Sequence, residues 1–413
     1  MSRQSSRILL SLAVATLSLT GATLKQDTHA RAAQTITLTE EDYYGPPNDA
    51  NLQHLFDQYT AAHPNVHIKR TFVPFANLLP SMLRQAATHT MPDIVLMDNP
   101  QVADIASSGV LTDLTPYAKN WAQLKGYLPN ALSVATIKGK LYGIPDGTNA
   151  LALFSNTKYL TAAGITHPPV TWAEWRADAK KLTHGKVYGT FVNATDAANG
   201  WEPFFWSDGG DLRHVNSKAG VESLTILKQI YDDGSVSHDV LTPSYDQTGE
   251  FAAGNIAMVP TGPWELAAFN KIKGLSYTVT PLPVNHIGDK QGSWLGGEVW
   301  TAPSATPGSN QAAVWNFLQW AQQPARLVTT DEELGYIPVY APAITQVVKD
   351  NPQLKIFAHI ISTGHARATQ FGANYPKVSA AIGTSFESML SSNLSPQAAA
   401  QQIQGVIDGL PAQ

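Results

Sequence analysis

Tryptophans and carboxylates stand next to each other in the middle of the chain. Five of the ten tryptophans fall between positions 201 and 300, and acidic residues accompany most of them. The pairs are Trp201 with Glu202, Trp206 with Asp208, Trp264 with Glu265 and Trp300 with Glu298, while Trp294 stands apart. An indole face packs against the C–H face of a pyranose ring, and charged or amide groups bond its hydroxyls. The pattern therefore predicts a carbohydrate site, and the alternative is that these tryptophans form the hydrophobic core.

Trp264 is the first candidate for stacking on a ligand. Thr261-Gly262-Pro263 follows a predicted strand, so the indole is expected on a loop at the carboxyl end of a sheet, where α/β proteins bind ligands. Its neighbour Glu265 either accepts hydrogen bonds from ligand hydroxyls or stabilises a helix N-terminus through its charge.

Two further stretches of the same region contribute candidates. We expect either Trp201 or Glu202 to face the ligand. Adjacent glycines at Gly296 and Gly297 allow close approach of the backbone to a ligand, or hinge motion. Gly297 and the following Glu298 are therefore candidate contacts.

Polar residues that directly follow predicted strands form a second group of candidates, because ligands of open α/β sheets bind at the carboxyl ends of the strands. They are Glu41, Asp42, Tyr43 and Tyr44 after the first strand, Asp98 and Asn99 after the third, and Asp146 and Asn149 after a later one. Tyr336 and Tyr375 are additional candidates. Arg367 either clamps a carboxylate or phosphate of the ligand or forms an ion pair within the protein.

Sequence signatures of catalysis are missing. The chain has no G-x-S-x-G, H-E-x-x-H, G-x-x-x-x-G-K or G-x-G-x-x-G motif. His63 and His67 are four residues apart, but Pro64 breaks the helix that would align them. Adjacent carboxylates point in different directions on a strand or helix, so sequence proximity does not make a glycosidase pair. We expect no catalytic residues, no metal site and no cofactor.

Residues 1–32 have the pattern of a secretory signal peptide. Arg3 and Arg7 supply positive charge, positions 8–24 are mostly apolar, and Ala30-Arg31-Ala32 is typical of a cleavage site. The alternative is an uncleaved membrane anchor, although the apolar stretch is short and rather polar for a span.

Charge and cysteine content narrow the choice of cellular compartment and of binding partners. The chain has no cysteine, which excludes disulfides, thiol nucleophiles and a lipid-modified cysteine. Without residues 1–32 the basic residues fall from 27 to 23 and the acidic residues from 32 to 31, so the net charge moves from −5 to −8. An acidic protein without Lys/Arg runs is a poor partner for nucleic acid or anionic membranes. We therefore expect a periplasmic protein that is not a lipoprotein.

Strands and helices alternate along the first hundred residues. The predicted order is strand 35–39, helix 49–63, strand 66–72, helix 76–88, strand 94–97 and helix 100–108. This spacing favours βαβ units, which build a mostly parallel sheet with helices on both faces. Later strands are predicted at 141–146, 150–155 and 256–259, and later helices at 172–183, 219–233, 309–322 and 376–410. Roughly 380 residues beyond the signal peptide predict about two domains.

Several segments occur in an order that resembles a known family. They are PDIVL at 92–96, FSNTKYL at 154–160, TWAEWRADAKKL at 171–182, WSDGG at 206–210, FAAGNIAMVPTGPWE at 251–265 and GYIPV at 335–339. In this order they resemble the family 1 extracellular solute-binding proteins of ABC importers, the group that includes maltose-binding protein. The loop at 40–47 (EEDYYGPP) departs from the family pattern. In the family this loop often contacts the ligand, so the resemblance does not identify the ligand of this protein.

The resemblance implies an α/β fold of the periplasmic binding protein type, a class II-like Venus flytrap with two lobes joined by hinge strands. The predicted segments are an N-terminal lobe of 34–145 plus 302–352, a C-terminal lobe of 150–298 plus 356–413, and crossings near 146–149, 299–301 and 353–355. The family also carries an aromatic platform at the motif that contains Trp264.

The resemblance further implies a monomeric, non-catalytic receptor that closes over a carbohydrate and docks on the membrane permease of an ABC transporter. Two other hypotheses stay open. One is a receptor of the same fold for a polyol phosphate or glycerophosphodiester, and the other is a secreted carbohydrate-active enzyme.

Overall fold

The computed structural model describes residues 35–46, 48–242, 245–304, 308–362, 364–392 and 394–411. Residues 35–413 fall in one compact unit. The predicted signal peptide, residues 1–32, lies outside the described residues.

Short strands and longer helices alternate along the described chain. The strands are β1 Ile36–Asp42, β2 Val66–Phe72, β3 Ile94–Asp98, β4 Thr136–Ile137, β5 Lys140–Leu141, β6 Gly143–Pro145, β7 Gly147–Thr148, β8 Ala152–Asn156, β9 Met258–Thr261, β10 Tyr277–Thr280, β11 Glu298–Thr301 and β12 Ile337–Pro338. The helices are α1 Asn48–Ala62, α2 Phe75–Thr88, α3 Asn99–Ser107, α4 Thr115–Ala118, α5 Pro129–Val134, α6 Thr157–Ala162, α7 Trp172–Leu182, α8 Ala197–Ser207, α9 Lys218–Asp232, α10 Gln247–Ala253, α11 Leu266–Phe269, α12 Gly308–Ala321, α13 Pro324–Leu334, α14 Ala341–Asp350, α15 Lys355–Ile361, α16 Tyr375–Ser391 and α17 Pro396–Asp408.

The larger sheet has the strand order β2-β1-β3-β11-β6. Strand β1 is parallel to both β2 and β3, as the βαβ spacing predicts. Every residue of β3 is buried, because this central strand is covered on both faces. On one face, Phe56 of α1 packs within 5.7 Å of Phe317 and 6.2 Å of Trp300, measured between ring centroids. These rings anchor the helices that hold the strand ends in place.

The smaller sheet has the order β10-β8-β9. Both of its strand pairs are antiparallel, and β11 of the larger sheet is antiparallel to its neighbours β3 and β6. The expectation of a mostly parallel sheet is therefore wrong outside β1–β3. Apolar periodicity reports which faces of a strand are buried, but it does not report the direction in which the strand runs.

The smaller sheet has its own aromatic core. Phe154 of β8 lies 5.7 Å from Phe269 and 6.2 Å from Phe357, between ring centroids. Phe357 belongs to α15, so the chain joins this core directly after the turn at Pro352–Leu354. The aromatic clusters around Phe56 and Phe154 thus pack against different sheets.

Closely packed backbone connects the two sheets. Strand β7 pairs with β12, and Gly297 lies against β7 with a φ of 106°. A Cβ at Gly297 would stand 2.1 Å from the carbonyl oxygen of Gly147, so only glycine fits there. Residues 299–301, predicted as a crossing, lie within β11 of the larger sheet. The lobe boundaries stay a prediction.

Candidate functional site

A cavity of about 410 Å³ opens where strand ends of the two sheets come together. We call it the cleft. The predicted site residues that line it are Tyr43, Tyr44, Asp98, Asn149, Trp264, Gly297, Glu298, Tyr336 and Arg367. They come from segments far apart in the sequence, and the fold brings them to one place.

Two tryptophans form an aromatic wall of the cleft. The rings of Trp264 and Trp294 are nearly parallel, with 14° between their planes and 6.4 Å between their centroids. Trp264 follows β9 on the turn that Pro263 begins. The Trp264 indole folds back over Gly262. A Cβ at this position would lie 1.9 Å from the indole ring, so only glycine leaves room for it. The ring faces suit a flat, partly apolar ligand.

Arg367 and Asp98 form a buried ion pair at the cleft. Arg367 Nη2 lies 2.9 Å from Asp98 Oδ1 and 3.1 Å from Oδ2. The guanidinium carbon also stands 4.9 Å from the ring centroid of Trp294, in cation–π contact. Burial raises the pKa of Asp98, and the charge of Arg367 opposes that effect. The sequence left Arg367 between a ligand clamp and an ion pair, and the structure shows the ion pair.

Glu298 stands at the centre of a group of tyrosines. The hydroxyls of Tyr43 and Tyr336 both donate to its Oε1, the latter at 3.2 Å. Burial raises the pKa of Glu298 to about 8, against the hydrogen bond from Tyr43, while the negative charge of Asp98 adds to the rise. The raised pKa favours the protonated carboxyl, which has a donor and an acceptor and no net charge.

Asn149 contributes an acceptor to the cleft. Its side chain is only 4% exposed, and its Oδ1 has no hydrogen-bond donor among the described residues. This oxygen packs against the backbone of Gly296, where a Cβ would lie 1.9 Å from it, so only glycine fits there. A buried amide oxygen without a donor is costly, and a ligand hydroxyl would satisfy it.

Three predicted contact residues serve the scaffold and do not line the cleft. Asp42 is fully buried, pairs with Arg70 at 2.6 Å and accepts from the backbone N–H of Tyr44. Glu41 accepts from Gln85 at 2.8 Å. Asn99 donates to the carbonyl of Leu295 at 2.8 Å, which ties α3 to the chain that precedes β11. All three lie at the strand ends where they were predicted, but their side chains bond neighbouring protein groups.

A second group of predicted residues lies behind the cleft. Trp201 is fully buried, donates to Ser223 Oγ at 2.9 Å and stacks on Phe205, so the core interpretation is right for it. Glu202 is also fully buried and accepts from the Tyr375 hydroxyl at 3.0 Å. Burial raises the pKa of Glu202 to about 8, although the charge of Arg367 lowers it. Glu202 and Tyr375 therefore bond each other in the interior and do not line the cleft.

Asp146 and Glu265 also fall outside the cleft lining. Asp146 is 3% exposed and accepts a short hydrogen bond from Gln322 Nε2. Burial raises its pKa to about 6. Burial raises the pKa of Glu265 to about 7, with a further contribution from the charge of Asp246 and opposing hydrogen bonds from Trp264 and Thr248. Glu265 is thus turned from the cleft toward the start of α10.

Sequence reasoning missed several residues of the cleft. They are Gly45, Asn48, Phe75 and Trp294. Trp294 belongs to the tryptophan cluster of the sequence, but no strand end or partner carboxylate marks it. Phe75 begins α2 and is 48% exposed, and its ring centroid lies 5.0 Å from that of Tyr43. An exposed aromatic at a helix start carries no sequence signal that separates it from an ordinary surface residue.

The described residues form neither a metal site nor a membrane span. Among these residues, no group of three or more His, Cys, Asp or Glu is arranged to hold a metal ion. Within the same ranges, no helix is both long enough and apolar enough to cross a membrane.

The amino-acid sequence is similar to those of bacterial binding proteins. A family model for bacterial extracellular solute-binding proteins matches residues 54–356. A putative binding protein of Brucella abortus (strain 2308) is 24% identical over 297 residues, which cover 68% of this chain and 70% of that protein. The galactooligosaccharide-binding protein of Bacillus subtilis (strain 168) is 23% identical over 246 residues, covering 56% of this chain and 57% of the relative.

The fold is also found among solved structures. The GacH receptor of Streptomyces glaucescens, solved without ligand and with acarbose, superposes with a TM-score of 0.81. The two chains are 24% identical, and the match covers 91% of this chain and 100% of the receptor. A likeness at this level shows a shared two-lobe fold.

Proposed function

The chain belongs to the family of bacterial extracellular solute-binding proteins, and from this premise we propose that it captures a carbohydrate in the cleft and delivers it to the permease of an ABC transporter. The family-model match confirms the family that the order of sequence segments predicted. The match to the GacH receptor confirms the predicted two-lobe α/β fold. The observation that carries the proposal is the pair of parallel indoles, Trp264 and Trp294, beside uncharged hydrogen-bonding groups.

Both the apolar face and the hydroxyl-bearing edge of a sugar match the chemistry of the cleft. The apolar face of a pyranose packs on an indole, and burial of that area is worth about 25 cal/mol per Å². The edge of the ring carries hydroxyls, which need donors and acceptors. Glu298 in its protonated form and the Asn149 Oδ1 offer these at the same cavity. Closure of the lobes would remove water and strengthen these hydrogen bonds.

The charges favour a neutral ligand over a phosphate. Arg367 is the cation that lines the cleft, and Asp98 neutralises it at 2.9 Å. A phosphate site gains most from several converging donors with spare positive charge. The alternative of a polyol phosphate or glycerophosphodiester receptor therefore has less support than the sugar receptor.

A catalytic role also has less support than binding. A glycosidase needs two carboxyl groups that flank the bond to be cleaved, one of them free to act as base or nucleophile. In the cleft, Asp98 is held by Arg367, and Glu298 accepts from two tyrosine hydroxyls. The family consists of solute-binding proteins, and we propose that this one binds without turnover.

The compartment and partners are parts of the same proposal. Residues 1–32 would direct export and be removed, and the chain has no cysteine to carry a lipid anchor. The mature protein would then act as a monomer in the periplasm, with the sugar and the permease as its partners.

Thermal unfolding in the presence of mono- and oligosaccharides and polyol phosphates tests the proposal. A ligand at about 100 times its Kd adds roughly 2.7 kcal/mol to the free energy of unfolding, which shifts Tm by several degrees. We expect a rise with one class of sugar, and Trp264→Ala should weaken its affinity by about 10- to 100-fold, whereas Trp264→Phe should keep much of it.

Trp121→Ala is the matched control for that experiment. Trp121 is a half-buried tryptophan that packs on Tyr127 and Trp315, away from the cleft. Its removal should lower stability without changing sugar affinity. A rise only with phosphorylated compounds, or turnover of a glycoside, would overturn the sugar-receptor proposal.

A further inference from the structure

A second cavity lies directly behind the tryptophan wall of the cleft. It has a volume of about 190 Å³ and shares Trp264 and Trp294 with the cleft. We call it the inner compartment. Its other apolar lining residues include Leu151, Trp175, Phe191, Phe204 and Leu227.

The most buried side chains of the inner compartment are mainly apolar. Trp175, Phe204 and Leu227 are each at most 2% exposed, and the rings of Trp175 and Phe204 stack with 7° between their planes. The indole N–H of Trp175 already donates to Thr190 Oγ1 at 3.0 Å. The described side chains of this floor therefore offer a ligand no free polar hydrogen.

Three of the four polar lining residues lie nearer to solvent, while the fourth, Thr261, is 3% exposed. Asn193, Asp196 and Gln247 are partly exposed, in contrast to the buried floor. Asn193 Oδ1 accepts from the backbone N–H of Asp196 at 2.9 Å, which uses one of its acceptor positions. Apart from Thr261, the compartment therefore changes from polar to apolar with increasing burial, and it matches a ligand that is polar at one end and apolar at the other.

The size and chemistry of the compartment select what enters it. A dry cavity of about 150 Å³ lined by aliphatic and aromatic side chains is large enough for benzene. A pyranose pushed against the floor would bury several hydroxyls without partners, and each such group costs affinity. A six-membered apolar ring has no such penalty and gains by leaving water.

We propose that the ligand is a glycoside with a ring-sized apolar substituent, whose sugar occupies the cleft and whose substituent enters the inner compartment past Trp264 and Trp294. This inference rests on the proposed sugar-binding function and specifies the class of sugar derivative. Trp264 and Trp294, which line both cavities, then flank the junction between sugar and substituent.

The test compares the methyl and phenyl glycosides of whichever sugar stabilises the protein, by isothermal titration calorimetry. The phenyl glycoside should bind at least tenfold more tightly than the methyl glycoside. Leu227→Phe fills the compartment and should abolish this difference while leaving the methyl glycoside affinity within about threefold. Ile226→Phe is the matched control, because Ile226 lies on the same helix but does not line the compartment.

A second variant guards against misfolding of Leu227→Phe. Leu227→Ala enlarges the compartment, and we expect it to raise the affinity for a naphthyl glycoside relative to the phenyl glycoside at least threefold. Equal affinities of methyl and phenyl glycosides for the natural protein would overturn the inference, and so would a phenyl preference that persists in Leu227→Phe.

Toluene separates a failure of this inference from a failure of the sugar-receptor proposal. It probes the compartment without any sugar, through ligand-dependent changes in Tm and in the fluorescence of the tryptophans. Toluene binding that Leu227→Phe removes, without binding of any glycoside, would overturn the sugar-receptor function but not the apolar character of the compartment. Sugar binding without toluene binding or a phenyl preference would overturn only the inference.

Discussion

Arg367 and Asp98 approach to 2.9 Å with side chains that are 7% and 11% exposed. Breaking such a pair from one side leaves a buried charge without compensation, which costs far more than the pair contributes when intact. The pair also lies in cation–π contact with Trp294. At the scale of single residues, it therefore determines both the charge of the cleft and the position of one of its two indoles.

Asp98→Asn tests this role. The substitution keeps the shape of the side chain and removes its charge, so the free energy of unfolding should fall by about 3 kcal/mol or more. Asp211→Asn is the control, because Asp211 pairs with Arg213 and the two side chains are 39% and 61% exposed. An exposed pair contributes about 1 kcal/mol or less. Urea titration measures both variants, and equal losses would contradict the role given to the buried pair.

Residue-scale sequence reasoning found the correct strand ends but not the correct side chains at each of them. Asp98 lines the cleft, while its neighbour Asn99 bonds a backbone carbonyl. Likewise Trp264 faces the cleft, and Trp201 is core. A ligand-facing and a core tryptophan have the same local sequence chemistry, because the difference arises from contacts with distant segments that only the tertiary structure creates.

At the scale of secondary-structure elements, Gly297 determines how closely the backbone packs between the two sheets. Gly297 combines a φ of 106° with a close approach to β7, where a Cβ would lie 2.1 Å from a carbonyl oxygen. It directly precedes β11 and lines the cleft, so a shift of this backbone moves Glu298 as well. The packing against β7, which pairs with β12, and the geometry of the cleft are thus coupled at one residue.

Gly297→Ala and Gly274→Ala together separate backbone strain from steric clash. Gly274 has a φ of 91°, but a Cβ there would meet no described atom within 4 Å. Gly274→Ala should cost about 1 kcal/mol of strain, and Gly297→Ala about 3 kcal/mol or more, with weaker sugar binding. Thermal unfolding and calorimetry measure these effects. Similar losses in the two variants would show that close packing against β7 is unimportant.

Element boundaries could be predicted more fully than element directions. Strand β2 occupies 66–72 and helix α1 spans 48–62, both within a residue of expectation, because periodicity and turn residues are local signals. The antiparallel directions of β11 and of β8 with its neighbours were not predicted. Strand direction depends on connections across long stretches of chain, which no local pattern encodes.

Buried carboxyl groups set the pH response of the whole molecule. Burial raises the pKa of Glu202 and of Glu298 to about 8, that of Glu265 to about 7 and that of Asp146 to about 6. In the unfolded chain these groups titrate near their ordinary values of 4.5 for Glu and 3.8 for Asp. Between these two ranges the folded protein binds more protons than the unfolded chain, so raising the pH favours unfolding.

The contribution of these groups to the free energy of unfolding should therefore be greatest below about pH 4 and fall as the pH rises from there to about 8. Each unit of pKa difference contributes about 1.4 kcal/mol, so a fall of several kcal/mol is expected. Glu298→Gln and Glu202→Gln replace protonated carboxyls with neutral amides of similar shape, and each should reduce the slope. Glu387→Gln is the control, since Glu387 is exposed and should leave the slope unchanged.

Denaturant titrations at half-unit steps from pH 5 to pH 8.5 measure these slopes, and calorimetry at the same pH values measures sugar affinity. Glu298 lines the cleft and Glu202 does not, so the two substitutions should act alike on stability but differently on binding. In the natural protein, affinity should weaken above pH 8, where Glu298 loses its proton and its donor. Glu298→Gln should remove that decline because its amide keeps a donor at all pH values, whereas Glu202→Gln should preserve it. A decline that persists in Glu298→Gln would assign the pH response of binding to another group.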